Sequence, residues 1–357
     1  MNIQKFTQQG KRSNNEDSLG TSAALLTVCD GMGGHVSGER ASAFVKDALL
    51  KVFAKPQPLG KMEIQQELNK IQTDLNQLLE KEPELEKMGT TFTGVFITPD
   101  VWYAAHIGDS RIYLFRPSEQ KLWHTWDHSL VGELMRTKEI LIEAGRFHPM
   151  SNRISKAIIA QKDGKLASAS IVRIDELKAG DILLLCSDGV VEAWGDWELV
   201  QLFSDESLSF EQKCKKLAQQ CNAKSKDNNT AIIAEIGEED AFSFGTNDEL
   251  DWTTFDEVKA DYDQYVKDNE EVKEPHEPQV DKPIQKEETS PNAETEQGQM
   301  ASDNPPKPLD KTKKYNGKPS KEGSPQQKDK PKRNKSLWVV VLLVVVAAAV
   351  ALLLLNR

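Results

Sequence analysis

The chain has 357 residues, enough for one or two domains with a sizeable core. A formal net charge of -11 argues against nucleic acid as a partner, and four cysteines without a CxxC pair argue for free thiols in a reducing compartment. The average conceals three unlike regions: a mixed apolar and polar part to residue 237, a charged and aliphatic-poor part over 238–336, and an uncharged run over 337–355.

Residues 24–29 form a short apolar run that ends at Asp30 and reads as a strand. Ala41, Phe44, Val45, Ala48, Leu49 and Val52 then keep a helical period, and Ile64, Leu68, Ile71, Leu75, Leu78 and Leu79 repeat it in a second predicted helix. Four strand candidates follow at 91–98, 101–107, 111–115 and 121–125, with Thr98, Pro99 and Asp100 as a hairpin turn. A polar, partly helical stretch covers 129–152. Beyond it come an apolar strand at 181–187, a helix carrying Phe210, Cys214, Leu217 and Cys221, and a last strand at 230–236. Short turns between neighbouring strands argue for antiparallel sheets, with the inserted helices packed on their faces, so the first domain, 1–237, is expected to be an α+β sandwich.

From Glu238 no periodicity is sustained, and 238–336 reads as a disordered, Pro-rich linker, acidic and then basic. Trp252, Phe255, Val258, Tyr262 and Tyr265 hint at a short amphipathic helix, docked or transient; the transient form within a disordered stretch is the preferred reading. The nineteen apolar residues of 337–355 would span about 28 Å as a helix, close to the ~30 Å hydrocarbon core of a bilayer. Lys330, Lys332, Arg333 and Lys335 precede the run, whereas Arg357 alone follows it. The positive-inside bias therefore predicts a single-pass, tail-anchored membrane protein with its large domain in the cytoplasm.

Several carboxylates stand at the ends of apolar segments. Asp30 precedes Gly31, Asp188 precedes Gly189, Asp227 precedes Asn228, and Asp109 lies between Gly108 and Ser110; Glu16 and Asp17 sit near the start. Any one of them can be a turn cap. Two Asp-Gly pairs after apolar strands, with a third Asp before another strand, are expected to converge if those strands share a layer. Converging carboxylates repel unless cations neutralise them, and all-oxygen ligands suit Mg²⁺ or Mn²⁺ rather than zinc. Arg12 is suited to clamp phosphate oxygens. The residues alone thus point to a metal-assisted phosphoester hydrolase.

These segments, in this order, resemble the 2C-type metal-dependent protein phosphatases (the PPM family), of bacterial type. Residues 12–17 read RSNNED, 30–42 read DGMGGHVSGERAS, and 89–91, 108–111, 127–129, 187–189 and 227–230 read GTT, GDSR, DHS, SDG and DNNT. The resemblance covers essentially all of 1–237. It implies a four-layer αββα sandwich of two antiparallel sheets flanked by helices, and hydrolysis of phosphoserine and phosphothreonine in proteins by a metal-bridging water or hydroxide. Two Mn²⁺ or Mg²⁺ ions are implied, bridged by Asp30, with the Gly31 carbonyl on one and Asp188 and Asp227 completing the other site. Glu16 would act mainly through a water, Asp17 would orient waters, Arg12 would bind the substrate phosphate, and Asp109 would help hold a third, weaker ion with Asp188. Residues 129–152 resemble the family's substrate-contacting flap. Met32 stands where some relatives carry a histidine proposed as general acid, which leaves a water or His35 for that role; Ser155, Lys156 and Ala157 stand where Thr-Arg-Ala is commoner. The implied partners are Ser/Thr-phosphorylated proteins, including products of a partner Ser/Thr kinase, and a membrane. An inactive phosphoprotein-binding module and a membrane scaffold are the alternative readings.

Overall fold

The computed structural model describes residues 1–33 and 37–271. The apolar run at 337–355, most of the expected linker and His35 lie outside the described residues. Among the described residues no helix is long and apolar enough to cross a membrane.

Two antiparallel sheets dominate. The larger has six strands in the spatial order Asn2–Gln8, Asn229–Glu235, Ile182–Cys186, Arg111–Arg116, Lys121–His124 and Thr253–Thr254. The smaller has five, in the order Ser170–Ile174, Trp102–Ile107, Phe92–Ile97, Leu25–Cys29 and Ser18–Thr21. The expected hairpin is present, with Ile97 opposite Trp102 across its turn.

Strand alternation explains why the central strands read as unbroken apolar runs. In Ile182–Cys186, Leu183 and Leu185 join the core between the sheets, together with Leu26, Val28, Val95, Ile112 and Ile232. The intervening Ile182, Leu184 and Cys186 face the opposite way, onto the helices Asp188–Ala193, Asp196–Ser204 and Phe210–Lys224. Both faces are buried, so every position is apolar. The five-stranded sheet does the same: Leu25, Cys29, Phe92 and Phe96 pack beneath the helices Gly38–Val52 and Lys61–Lys81. The result is the expected helix–sheet–sheet–helix layering, and all four cysteines are free and buried in it.

The sequence reading misses the first strand. Asn2–Gln8 is a polar edge strand whose two anchors, Ile3 and Phe6, pack on opposite faces of the sheet and so leave no one-sided pattern. It also ends the folded domain too early. Thr253–Thr254 pairs with Lys121–His124, and the helix Phe255–Glu271 then buries Phe255 and Val258 in the outer core. Its acidic residues lie between the apolar positions, so the composition reads as a solvated tail while the 3–4 spacing supplies a packing face. We predict that Phe255→Ala destabilises the protein by about 3 kcal/mol, lowering its melting temperature by roughly 6–12 °C in thermal unfolding. A chain cut at residue 237 should unfold earlier than one cut at residue 271.

Candidate active site

The carboxylates meet at one end of the sandwich, where strands of both sheets stop. Asp30 follows Leu25–Cys29 of the smaller sheet, whereas Asp188 follows Ile182–Cys186 and Asp227 precedes Asn229–Glu235 of the larger. Asp109 lies in the connection from Trp102–Ile107 to Arg111–Arg116, which crosses from one sheet to the other. The expectation that strands of one shared layer gather them is therefore corrected: the cluster sits on the seam between two layers. Arg12, Glu16, Asp30, Gly31, Asp109, Asp188 and Asp227 line one cavity of about 400 Å³, with Met32 beside them. Asp17 stands behind it, within hydrogen-bonding reach of Asp30.

Neutral groups hold this charged array in place. The backbone N–H of Asp30 donates to Thr91 Oγ1 at 3.0 Å, the Asp30 carbonyl accepts from Thr90 Oγ1 at 2.9 Å, and Thr91 Oγ1 is 2.7 Å from Ser110 Oγ beside Asp109. Ser187 Oγ donates to Asp17 Oδ2 at 2.8 Å and accepts from the Thr230 N–H at 3.0 Å, which ties three motif segments together. Asn228 binds the opening loop to the last strand: its Nδ2 donates to the carbonyls of Gln9 and Asn14, each at 2.8 Å, and its Oδ1 accepts from the Glu16 N–H at 2.9 Å. Thr91, Ser187 and Asn228 carry none of the acid chemistry that draws attention in the sequence; their only signal is a polar residue inside each short motif. Gly31 is obligatory, because a Cβ there would collide with the carbonyls of Glu16 and Gly38.

Behind the site, Arg111 forms a buried two-pronged pair with Asp127, Nε to Oδ1 at 2.7 Å and Nη2 to Oδ2 at 2.8 Å, and so joins the Gly108–Arg111 segment to the Asp127–Ser129 segment. Ser155 donates from Oγ to the His128 carbonyl at 2.9 Å, so the Ser155–Ala157 departure braces this region, and neither Ser155 nor Lys156 lines the carboxylate cavity.

Burial and mutual repulsion raise the acids' proton affinity. Asp30 lies well above the usual carboxylate range through burial and then the charges of Asp17 and Asp188; Asp188 does so through burial and then Asp109 and Asp227. Burial pushes Asp17 up to about 6 and Asp109 up to about 7, and Glu16 is raised mainly by burial. Among the described residues Arg12 is the single cationic side chain lining the cavity; its Nη2 pairs with Asp227 Oδ2, which raises its pKa.

Among the described residues no three His, Cys, Asp or Glu side chains are already closed into a metal cage. The residues nonetheless fit hard divalent cations. The acidic side chains lining the cavity offer only oxygen donors, five carboxylates face one guanidinium, and Asp17 Oδ1 is buried without any hydrogen-bond partner.

Acids whose folded pKa is raised bind protons that the unfolded chain has already released above its ordinary 3.8. Their contribution to stability is present at low pH and is lost as pH rises through 6 to 7. In EDTA the melting temperature should therefore fall between pH 5 and pH 8, and Asp109→Asn should flatten that fall; thermal scans across pH check both.

Comparison with known proteins places the chain. It is 31% identical over 227 residues to the serine/threonine protein phosphatase PstP of Mycobacterium tuberculosis, an alignment covering 63% of this chain but only 43% of PstP. It is 31% identical over 253 residues to the protein phosphatase PhpP of Streptococcus pneumoniae, covering 68% of this chain and all of PhpP. A crystal structure of the PstP catalytic domain in complex with two manganese ions superimposes with a TM-score of 0.56 at 28% identity, over 66% of this chain and 98% of that domain. Residues 8–229 match the family described as protein phosphatase 2C, and the chain belongs to that family.

Proposed function

We propose that this protein is a metal-dependent phosphatase that hydrolyses phosphoserine and phosphothreonine in proteins. The observation that carries the reading is the convergence of Asp30, Asp109, Asp188 and Asp227 with Arg12 around one cavity. Asp30, the Gly31 carbonyl, Asp188 and Asp227 would hold two Mn²⁺ or Mg²⁺ ions, a reading supported by the manganese in the PstP structure. Asp109, whose charge acts on Asp188, would share a third and weaker site with it. When bound, the ions supply positive charge that lowers the pKa of attacking water and offsets the charge of the phosphoryl oxygens.

The chain's own residues do the rest. Arg12 is 59% exposed and gives one Nη2 to Asp227, which leaves donors of its planar fork free for two phosphoryl oxygens. Asp227 thereby aims Arg12, and its charge also acts on Asp188. Asp17, fixed by Ser187, keeps Oδ1 free to accept a hydrogen bond from a water, and Glu16 lines the cavity in front of it. The Met32 thioether has no proton to give, so it cannot protonate the leaving group. The cavity is open to solvent along Arg12, which suits a phosphorylated side chain presented from a protein surface.

The phosphorylated substrates would include products of a partner Ser/Thr kinase. We further propose that 337–355 spans a membrane with the phosphatase domain on the cytoplasmic side, a reading supported by the nineteen uncharged residues and the basic cluster before them.

A phosphothreonine peptide should be turned over with Mn²⁺ and not in EDTA. Asp188→Ala should lower kcat by at least about a hundredfold, and Arg12→Ala should lower kcat/KM by about tenfold to a hundredfold; retained phosphopeptide binding without turnover by the wild type would instead make it a binding module. In fractionated cells the full chain should stay in the membrane pellet after alkaline extraction, and a chain ending at residue 336 should be released.

A further inference from the structure

Beside the carboxylate cavity runs a groove of about 630 Å³ that shares Arg12, Asp109, Asp188 and Asp227 with it. Its far wall is the segment 130–152, including Gly145, Arg146, Phe147 and His148. A phosphorylated residue seated at Arg12 would lay its neighbours along this groove, so the position of that wall bears on how well a peptide fits.

The wall packs Met135 against Gly145 and closes several turns, but its regular elements are short. It holds two short helices, Leu130–Arg136 and Ile142–Arg146, and the second is too short to be stable by itself. Two external ties hold it. Arg146 anchors one end to the helix that begins at Asp188: its Nε donates to the Val191 carbonyl at 3.0 Å and its Nη2 to the Glu192 carbonyl at 3.2 Å. The other tie comes from Phe255–Glu271, which lies outside the matched residues 8–229. Asp261 accepts the first two N–H groups of the short helix, from Ile142 to Oδ1 and from Glu143 to Oδ2, both at 3.0 Å. Tyr265 stacks on Phe147, with ring centroids 5.7 Å apart and planes 17° from parallel. Phe255 and Val258 seat the same helix in the outer core, so its position is fixed independently of the wall.

We propose that Asp261 and Tyr265 are positioning residues for protein substrates: the helix Phe255–Glu271 holds the groove wall in register with the carboxylate cavity, and so sets affinity for the residues flanking the phosphorylated one. This rests on the phosphatase reading above. Two carboxylate oxygens satisfy N–H groups that a five-residue helix cannot satisfy internally, and the aromatic stack fixes the side chain at the helix's exit. A small phosphoester fills only the carboxylate cavity, which the wall reaches through Asn152 and not through the short helix Ile142–Arg146.

The test uses the full chain with saturating Mn²⁺, a ten-residue phosphothreonine peptide and p-nitrophenyl phosphate. Asp261→Ala and Tyr265→Ala are expected to raise the peptide KM three- to tenfold with kcat within twofold, while p-nitrophenyl phosphate kinetics change less than twofold. Hydrogen exchange at the amides of Ile142 and Glu143 is expected to quicken at least tenfold in Asp261→Ala. Tyr265→Phe keeps the stack and is expected to behave as wild type, and Asp261→Asn, which keeps one acceptor, to fall between. Faster exchange with an unchanged peptide KM would overturn the proposal, as would equal losses on both substrates or equal damage from Tyr265→Phe and Tyr265→Ala. Wild-type protein inert toward both substrates would sink the phosphatase reading itself, and the proposal with it.

Discussion

Everything at the working end of this protein is organised around the repulsion among buried carboxylates. Asp17, Asp30, Asp109 and Asp188 are each driven toward the protonated form by burial and then by neighbouring carboxylates, Asp127 and Asp227 included. Such an array persists in a folded protein only if the backbone holding it is fixed by other interactions. Here those are neutral: the Thr90 and Thr91 hydroxyls on Asp30, Ser187 on Asp17, and the Asn228 amide on the opening loop. Gathered negative charge of this kind favours the binding of cations.

The sandwich makes that gathering possible because its two sheets end together. Strands buried on both faces have no freedom to slip, since a shift by one residue would exchange the inter-sheet core for the helix-covered faces. Register in Ile182–Cys186 thereby sets where Asp188 emerges, and register in Leu25–Cys29 sets where Asp30 emerges. Large apolar contacts deep in the core thus hold small polar groups in position at the rim. The buried Arg111–Asp127 pair carries the same order outward to the segment that forms the wall of the neighbouring groove.

The helix Phe255–Glu271 extends this logic beyond the matched part of the chain. It completes the outer helical layer through Phe255 and Val258, and through Asp261 and Tyr265 it reaches the groove wall. One element thus serves both the core and the rim, so the groove beside the carboxylate cavity is tied to the segment that leads into the charged C-terminal region.

Much of this was legible in the sequence. The apolar runs over 24–29 and 181–187, the 3–4 spacing of Ala41 to Val52 and Ile64 to Leu79, and the acids placed at strand ends are local patterns, and local patterns report secondary structure and chemistry directly. They were enough for the α+β sandwich, for the acids at the strand ends and, through seven short motifs in order, for the family. What only the tertiary structure decided is non-local. That the acids meet on the seam between two sheets depends on which strands pair across more than 200 residues, as Asn2–Gln8 does with Asn229–Glu235. That Thr91, Ser187 and Asn228 hold the site depends on partners remote in sequence. The described part of the acidic stretch, 238–271, holds short strands and a packed helix, because two side chains, Phe255 and Val258, meet a hydrophobic face; composition averages over such residues, and only the assembled core reveals that face.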